Sequence, residues 1–335
     1  MKIAIHNRPG SFSDRWIEYC KEKKIEYKLV NCYDSNIVRQ IDDCNALMWH
    51  HHHTNYKDVL FAKQLLFSLQ QAGKKVFPDF NTTWHFDDKV GQKYLLESIG
   101  APIVPSYVFY SKKEALKWIN NTTFPKVFKL RGGAGSSNVQ LVKTKERAKK
   151  IIKKAFGKGF SQYNKWGSLK ERIRKVKKGK GNYIDILKGI GRFVFPLEFA
   201  RMNGREKGYV YFQDFIENEG YDVRVVVINN KAVAVKRLIR ENDFRASGSG
   251  NLIFENENID KRYIELAFKL AKTLKTQSSA FDFIQDLSSN IYIVEMSYGF
   301  PMLNFLDGAS GYWSSDLKWH EEKFNLQVWM VESVF

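Results

Sequence analysis

The first eighty residues alternate short apolar runs with segments whose apolar positions recur every three or four residues. Predicted strands and helices alternate in this region, with strands at 3–7, 25–32, 46–50 and 75–77 and helices at 14–23, 35–43 and 55–72. Strands that alternate with helices usually pair in parallel. The pattern therefore predicts a small parallel sheet with helices on both faces.

The middle of the chain has a mixed pattern. It predicts helices at 87–99, 112–119 and 145–155 and strands at 106–110, 126–131 and 138–143. The last two strands form a predicted hairpin, joined by the run Gly132-Gly133-Ala134-Gly135-Ser136-Ser137. Residues 157–195 have the least regular pattern, with one charged helical stretch around 168–178.

From residue 209 onward the pattern is mostly that of strands. It predicts strands at 209–216, 222–228, 231–240, 280–287 and 291–296, a helix at 261–275 and a closing helix over 313–335. Two hairpins are expected, one turning at Asn229-Asn230 and one centred between Ser288 and Ser289. The sequence thus predicts three domains, at 1–84, 85–208 and 209–335.

The composition is that of an ordinary globular protein. Of 335 residues, 44% are hydrophobic, and no apolar run approaches the roughly 20 residues that span a bilayer. The N-terminus begins with a predicted strand and lacks the pattern of a secretory leader. The three cysteines, Cys20, Cys32 and Cys44, match neither a disulfide framework nor a common zinc pattern. We expect a cytoplasmic protein without a transmembrane segment.

The net charge of +18 is concentrated in one segment. Residues 143–180 contain 16 Lys and Arg but only two Glu, which leaves +4 for the rest of the chain. A protein that binds nucleic acid over its whole surface would distribute its charge more widely, so this class is disfavoured. The segment is interpreted as a solvated surface, as a docking surface for an anionic substrate or polymer, or as a site for nucleic acid or anionic lipid headgroups.

The last predicted hairpin brings two carboxylates together, since its register puts Asp282 opposite Glu295. Their β-carbons would lie about 5 Å apart. At an effective dielectric constant near 20, two negative charges at this separation repel by roughly 3 kcal/mol. A divalent metal ion would relieve this repulsion, and Mg²⁺ suits oxygen ligands. The alternative is a different register in which one acid is solvated.

Two further motifs point to a nucleotide. The glycine-rich connection lacks the Gly-Lys-Ser/Thr of a P-loop, but its backbone N–H groups could approach phosphate oxygens, with Lys129 as a nearby cation. The alternative is a loose hairpin loop. The segment 211–217 is a weak candidate for a purine site, and the hairpin after it puts Asp222 opposite Arg237.

In their order and spacing, these motifs resemble the ATP-grasp superfamily of carboxylate–amine ligases over about residues 85–305. The resemblance rests on Asp87-Asp88-Lys89, the strand ending in Lys129, the glycine-rich run, Gln213-Asp214-Phe215-Ile216, Gly220-Tyr221-Asp222-Val223-Arg224, Asp243-Phe244-Arg245, Phe281-Asp282-Phe283 and Val294-Glu295-Met296-Ser297. It is closest to the branch of the ribosomal-protein glutamate ligases. The Trp-rich C-terminus and the run 49–53 suggest a separate subfamily, associated with surface polysaccharides. The implied fold is α/β, an ATP-grasp fold preceded by a small parallel-sheet domain.

The resemblance implies residues for ATP and for metal. The implied ATP-binding residues are Lys89 and Lys129 for phosphates, Gly132, Gly133, Gly135 and Ser136 in the covering loop, Gln213, Asp214, Phe215 and Ile216 for adenine, and Glu217 or Asp222 for the ribose. Asp282, Glu295 and Ser297 would bind two Mg²⁺ ions, with Mn²⁺ as an alternative. The implied catalytic residues are Arg237, Arg240 and Arg245, around the γ-phosphate and the substrate carboxylate. The chain departs from the family pattern at Ser297, where Asn is usual, and at Asp214, where Glu is common.

The implied reaction activates a carboxylate as an acyl phosphate and couples it to an amine, with release of ADP and phosphate. The acid could be an amino acid, a peptide end or a sugar acid, and an anionic polymer or lipid-linked acceptor could bind through 143–180. Two alternatives belong to other classes. One is a nucleotide-binding protein without turnover, and the other is a protein that binds nucleic acid or another polyanion.

Four consecutive histidines, His50 to His53, follow the third predicted strand. They lie at the carboxyl end of the sheet, where α/β proteins tend to bind ligands, and His6 and Asn7 would share this rim. Alternate residues of an extended chain point to opposite sides, so the run is a poor chelate for one metal ion. Substrate binding, a structural role and metal binding remain open.

Overall fold

The structure is a computed structural model that describes most of the chain. The described residues are 1–133, 138–163, 165–177, 182–195, 198–202, 204–239, 245, 251–301 and 308–335.

The N-terminal region forms the predicted parallel sheet. Its elements are β1 (Lys2–His6), α1 (Phe12–Glu22), β2 (Glu26–Val30), α2 (Ile37–Gln40), β3 (Ala46–Met48), α3 (Tyr56–Gln71), β4 (Lys75–Phe77) and α4 (Phe80–Thr83). The strands pair in parallel in the order β2-β1-β3-β4. Ile3 and Ile5 pack into one core cluster and Ala4, between them, into another. Both faces of the sheet are therefore buried, as the alternating pattern predicted.

The middle region is built on an antiparallel sheet. Its elements are α5 (Lys89–Ser98), β5 (Ser106–Phe109), α6 (Lys112–Asn121), β6 (Lys126–Lys129), β7 (Gln140–Val142), α7 (Lys145–Ala155), β8 (Phe160–Ser161), α8 (Lys165–Lys177), α9 (Tyr183–Val194), α10 (Glu198–Met202), β9 (Arg205–Glu206) and β10 (Val210–Asp214). The strand order is β5-β10-β6-β7. The predicted hairpin of β6 and β7 is confirmed. The prediction of a single helical stretch in 157–195 is wrong, because α8 and α9 are both helical.

The C-terminal region forms a larger sheet. Its elements are β11 (Tyr221–Ile228), β12 (Lys231–Leu238), β13 (Leu252–Ile253), α11 (Lys261–Leu274), β14 (Ser278–Gln285), β15 (Ile291–Ser297), β16 (Tyr312–Ser314), β17 (Trp319–His320) and α12 (Leu326–Glu332). The strands follow the order β15-β14-β11-β12-β16-β17, and β13 also pairs with β12. The expected closing helix is wrong in its extent. Trp313 and Trp319 face each other across the β16–β17 pair, and only α12 is helical.

The chain divides into two compact units. The first unit contains Met1–Phe86, Tyr94–Ile103 and Glu217–Phe335, and the second contains Asp87–Lys93 and Val104–Ile216. This division differs from the three predicted domains. The N-terminal and C-terminal sheets share one core cluster in the first unit, where Ile3 and Trp16 pack with Val226 and Trp329. Strand β10 lies between β5 and β6, so it belongs to the second unit.

Candidate active site

One face of the sheet in the second unit is polar although it is buried. Phe128 and Phe212 pair across β6 and β10 and pack into the core, so their neighbours Lys129 and Gln213 face the other way. The Lys129 Nζ donates to Gln213 Oε1 at 2.6 Å, and Gln213 Nε2 donates to Ser106 Oγ at 3.1 Å. All three polar residues are buried. The structure thus brings together two residues predicted to bind the nucleotide, Lys129 and Gln213.

Two further residues belong to this polar face: Ser106, which was not predicted, and Tyr211, which was predicted only as part of the weak purine segment 211–217. The Tyr211 hydroxyl donates to Ser106 Oγ at 2.9 Å, and both residues are buried. Tyr211 lies directly opposite Lys129 in the strand pair. Alternation along 211–214 could have placed Tyr211 beside Gln213, but Ser106 comes from a strand about a hundred residues earlier.

The side chain of Asp214 lies on the opposite face, against Lys126. The Lys126 Nζ donates to Asp214 Oδ1 at 2.6 Å and lies over the rings of Tyr107 and Trp118. The assignment of Asp214 to adenine is therefore restricted to its backbone. Phe215 and Ile216 follow as half-buried residues, and Glu217 is exposed.

The start of the glycine-rich connection is bound by charged side chains of the same unit. Lys89 Nζ donates to the Gly133 carbonyl oxygen at 2.8 Å, and the Gly133 N–H donates to Asp87 Oδ1 at 2.7 Å. The Gly132 N–H donates to Glu206 Oε1 at 3.3 Å. Gly133 has a φ of +104°, which few residues other than glycine adopt. These N–H groups thus already point at anionic oxygens. The predicted loop residues Gly135 and Ser136 lie outside the described residues.

A row of charged side chains crosses the sheet of the first unit. Along β11 the side chains of Asp222, Arg224, Val226 and Ile228 share one face, which changes from charged to apolar. Asp222 lies opposite Arg237 of β12, as predicted, and Arg224 lies opposite Asp282 of β14. Both opposed pairs have carboxylate oxygens at hydrogen-bond distance from a guanidinium. The strand register therefore builds an ionic network from residues distant in sequence.

Arg237 connects the two pairs. Its Nε lies 2.5 Å from Asp222 Oδ1, and its Nη2 lies 3.0 Å from Asp282 Oδ2. Its side chain is only 7% exposed, and that of Asp282 14%. Burial alone would raise the pKa of Asp282, but Arg224 and Arg237 hold this pKa well below its ordinary value. Asp282 is therefore ionised in the folded protein.

Asp282 lies opposite Glu295, as predicted. The residues closer to the turn, however, do not pair in the predicted register. Nearer the turn Phe283 lies opposite Ile293, and a β-bulge after Asp282 shifts the pairing by one residue. The positive charge that the sequence argument assigned to a metal ion is supplied at Asp282 by Arg224 and Arg237. The carboxylate pair therefore does not by itself require a metal.

The donor set at this edge of the network still fits a divalent ion. Asp282, Glu295 and Ser297 offer oxygen atoms on two neighbouring strands, and a carboxylate has about four lone-pair sites, of which Asp282 uses three for the arginines. Ser297 Oγ donates to the Gly299 carbonyl oxygen at 2.8 Å, so it is turned toward its own backbone. Within the described ranges, no three His, Cys, Asp or Glu side chains are grouped as a metal site.

Two of the predicted catalytic arginines lie in a segment of which the structure describes only one residue. Arg240 lies outside the described residues. Arg245 is described, but the residues on both sides of it are not, so its assignment stays a prediction.

The histidine run lies at the carboxyl end of the parallel sheet, as predicted. His50 and His51 are buried, and the His50 ring stacks on Phe12 at 3.6 Å. The His50 Nδ1 accepts the Phe12 N–H at 3.2 Å, which makes its Nε2 the protonated nitrogen. His6 Nδ1 accepts the Cys32 N–H at 3.0 Å in the same way. Both imidazoles are therefore set as Nε2–H donors.

Arg8 is the charged centre of this rim. Its Nη1 lies 3.5 Å from Asp58 Oδ2, and its Nη2 lies 3.3 Å from His50 Nδ1. Burial, with a smaller contribution from Arg8, lowers the pKa of His6 to about 4. The same causes hold the pKa of His50 well below its ordinary value. His6 and His50 are therefore neutral near pH 7.

The rim is joined to the strand that carries Glu295 and Ser297. Tyr298, the next residue, is fully buried and donates its hydroxyl proton to the His51 carbonyl oxygen. Its ring also contacts the rings of His51 and Phe86, at 5.0 and 4.6 Å. The candidate metal-binding strand and the histidine rim are thus parts of one packed region of the first unit.

A family model described as the RimK-like ATP-grasp domain matches residues 200–304. This segment contains the charged row and the Asp282–Glu295 strand pair. No curated protein matches the sequence.

Solved structures resemble the chain over most of its length. The RimK domain ATP-grasp protein of Sphaerobacter thermophilus is 17% identical, with 88% of this chain and 90% of that chain covered and a TM-score of 0.53. D-cycloserine synthetase DcsG is 13% identical, with 99% and 98% covered and a TM-score of 0.58. The ATP-grasp ligase PsnB, solved with a minimal precursor, Mg and ADP, is 12% identical, with 99% and 98% covered and a TM-score of 0.54. At these identities the likeness establishes the fold. The chain therefore has the ATP-grasp fold, and its residues 200–304 match the RimK-like ATP-grasp domain.

Proposed function

We propose that this protein is an ATP-dependent ligase that activates a carboxylate as an acyl phosphate and couples it to an amine. The products are an amide or peptide bond, ADP and phosphate. The observation that carries this proposal is the buried ionic row of Asp222, Arg237, Arg224 and Asp282, because it lies within the residues that match the RimK-like domain.

Phosphoryl and acyl transfer depend mainly on positioning and on stabilising negative charge. In the first step a substrate carboxylate oxygen attacks the γ-phosphorus, and the bond from that phosphorus to the ADP oxygen breaks. In the second step the amine nitrogen attacks the acyl carbon, phosphate leaves, and the nitrogen loses a proton. Arg237, together with Arg240 and Arg245, is assigned to the γ-phosphate and the substrate carboxylate. Neither step requires a nucleophile from the protein.

Asp222 and Asp282 hold the guanidinium groups of Arg237 and Arg224 in fixed orientations. Fixed donors need no reorganisation when negative charge develops in the reaction. When bound by Asp282, Glu295 and Ser297, Mg²⁺ would neutralise phosphate charge. Asp222 is already bound to Arg237, whereas Glu217 is exposed, which favours Glu217 as the residue for the ribose.

The buried polar face of the second unit is assigned to the nucleotide. Lys129 and Lys89 would bind phosphate oxygens, and the backbone of 214–216 would contact the adenine. The N–H groups of Gly132 and Gly133 now donate to Glu206 and Asp87. When ATP binds, its phosphate oxygens would replace the carboxylate oxygens as acceptors, since both kinds of oxygen are anionic.

The histidine rim is assigned to the substrate. Arg8 offers a guanidinium for a carboxylate, and His50 offers an Nε2–H donor beside it. The rim adjoins Ser297 through Tyr298, which is the support for placing a substrate group here. An amino acid, a peptide end or a sugar acid would each supply the required carboxylate.

The proposal is tested by ADP release from Mg²⁺ and ATP with pooled carboxylates, crossed with pooled amines. The variant Glu295→Gln removes one charge from the metal-binding set and serves as the blank. The matched control is Glu219→Gln, because Glu219 is an exposed carboxylate of the same unit outside the ionic row.

We expect ADP release that requires both pools, persists in Glu219→Gln and is lost in Glu295→Gln. ATP binding without turnover in any pool would favour the non-catalytic nucleotide-binding alternative. Absence of ATP binding would contradict the proposal altogether.

A further inference from the structure

Helix α9 exposes the side of the helix that its sequence makes apolar. Tyr183, Leu187 and Ile190 recur at the spacing of one helical face, and Ile184 lies beside them. Their side chains are between 52% and 76% exposed. Apolar helix faces in globular proteins are normally buried, and a contiguous exposed one indicates an interaction surface.

The opposite side of α9 is the one that packs. Gly189 is buried, and a Cβ there would lie 3.0 Å from side-chain atoms of Leu169 and Arg172, so α8 and α9 approach closely at this point. Arg172 Nη1 donates to the Asp185 carbonyl oxygen at 3.0 Å, and the rings of Trp166 and Phe193 lie 4.7 Å apart. The face formed by 185, 189 and 193 is therefore fixed against α8. This contact turns the apolar face of α9 away from its partner helix.

Two further aromatic residues are exposed at the end of the hairpin where α8 begins and α9 ends. Trp166, near the start of α8, is 67% exposed, and Phe195, just after α9, is 75% exposed. The hairpin thus exposes these two rings as well as the four apolar side chains of α9. We refer to Tyr183, Ile184, Leu187, Ile190, Trp166 and Phe195 as the hairpin apolar surface.

The sequence of the hairpin is strongly basic. Residues 165–195 contain ten Lys and Arg against two acidic residues, Glu171 and Asp185. Lys188 is exposed on α9 itself, next to Leu187. An amphipathic helix with aromatic and aliphatic residues on one side and Lys and Arg beside them suits an anionic membrane interface.

We propose that the hairpin of α8 and α9 binds the surface of anionic lipid bilayers, with the hairpin apolar surface inserted at the headgroup level. No helix in the described part of the chain is long and apolar enough to cross a bilayer. Helix α9, at 12 residues and about 18 Å, would lie in the plane of the interface. This surface consists of none of the residues assigned to the ligase reaction, so the proposal does not depend on that reaction.

A lipid interface accounts for the surface better than a polyanion does. A nucleic acid or acidic polymer would be bound by the cationic residues alone, and would leave the aliphatic side chains of Leu187 and Ile190 exposed. A bilayer contacts both kinds of side chain, because acyl chains accept the apolar groups and anionic headgroups attract the basic ones.

The test is co-sedimentation of the full chain with vesicles of phosphatidylcholine alone and of phosphatidylcholine mixed with phosphatidylglycerol. The variant Leu187→Glu places a negative charge in the centre of the surface. The matched control is Leu60→Glu, because Leu60 is a helical leucine of α3 with a similar exposure, 68% against 67%. The double variant Ile184→Gln with Ile190→Gln is the second probe if Leu187→Glu unfolds at a lower temperature than the wild type.

We expect the wild type to bind the phosphatidylglycerol vesicles and Leu187→Glu to bind them at least about tenfold more weakly. Leu60→Glu should bind like the wild type. Failure of the wild type to bind these vesicles overturns the proposal. If the wild type fails to bind and is a dimer while Leu187→Glu is a monomer, the proposal is also overturned, because the surface is then an interface between two copies of the chain. Binding that is unchanged in both hairpin variants and is competed by duplex DNA also overturns it, in favour of a polyanion site.

Discussion

The guanidinium of Arg224 donates two hydrogen bonds to the carboxylate of Asp282, with Nε 2.7 Å from Oδ1 and Nη2 2.8 Å from Oδ2. The two residues are 58 positions apart and meet because β11 and β14 pair with this register. A bidentate pair of this kind fixes orientation as well as charge. Asp282 also contacts Arg237, so one carboxylate orients two arginines.

Substitution of Asp282 should destabilise the fold. Asp282→Asn leaves Arg224 and Arg237 without their shared anion in a largely buried position, so we expect the free energy of unfolding to fall by roughly 3 kcal/mol. The measurement is urea unfolding followed by circular dichroism. Asp316→Asn is the control, because Asp316 pairs with Lys318 on the exposed surface, and it should cause no measurable change. Equal stability of Asp282→Asn and the wild type would show that the network does not support the fold.

The two buried lysines of β6 should differ in their effect on nucleotide binding. Lys129→Met removes a cation from the polar face assigned to ATP, so we expect ATP to bind at least about tenfold more weakly. Lys126→Met removes an equally buried cation from the opposite face and should leave ATP affinity within about twofold, although it leaves Asp214 without this partner. Calorimetric titration with Mg·ATP measures both. If both variants bind ATP alike, the nucleotide does not use this face.

His6 should make the stability of the protein depend on pH. Its pKa is about 4 in the folded chain and about 6.5 when unfolded, so the unfolded chain takes up a proton first as the pH falls. The contribution of His6 to the free energy of unfolding is complete above about pH 6.5 and is lost progressively as the pH falls to about 4. His6→Asn keeps an acceptor for the Cys32 N–H but cannot bind this proton. We expect the variant to lose less stability than the wild type between about pH 7 and pH 5 in urea unfolding. Parallel losses in the two proteins would contradict this role.

The sequence predicts best where one strand pattern decides the geometry. The turn at Asn229-Asn230 correctly placed Asp222 opposite Arg237, since the hairpin register follows from its turn. The predicted pairing of Asp282 with Glu295 is also correct. Closer to the turn, the pairing differs from the predicted register by one residue, and the β-bulge after Asp282 compensates for this difference. A bulge has no clear signature in this sequence, so this part of the agreement was not predictable.

Contacts between distant strands were not predictable from the pattern. Arg224 belongs to one of the motifs shared with the ATP-grasp superfamily, but no role was predicted for it, because its partner Asp282 comes from a strand that pairs with β11 only in the folded sheet. The same reason explains why Ser106 was missed beside Gln213. The fold was predicted instead from the resemblance to the ATP-grasp superfamily, which rests on the order of the motifs. These separate contacts could not have predicted it.

Helix α9 was missed because its composition argues against a helix. Gly189 and Gly191 lie within it, and each glycine lowers helix stability by about 1 kcal/mol relative to alanine. A capping box of Asn182 and Asp185 starts the helix, and close packing at Gly189 against α8 supports it. Packing of this kind is a tertiary interaction, so local propensity could not reveal it.

The central claim, activation of a carboxylate as an acyl phosphate, is tested most directly by trapping with hydroxylamine. The wild type would be incubated with Mg²⁺, ATP and the carboxylate pool, with hydroxylamine in place of the amine, and the products quantified. Hydroxamate should form together with equal amounts of ADP and phosphate, and none should form with Glu295→Gln. Hydroxamate accompanied by AMP and pyrophosphate would instead show an acyl adenylate and would contradict the account.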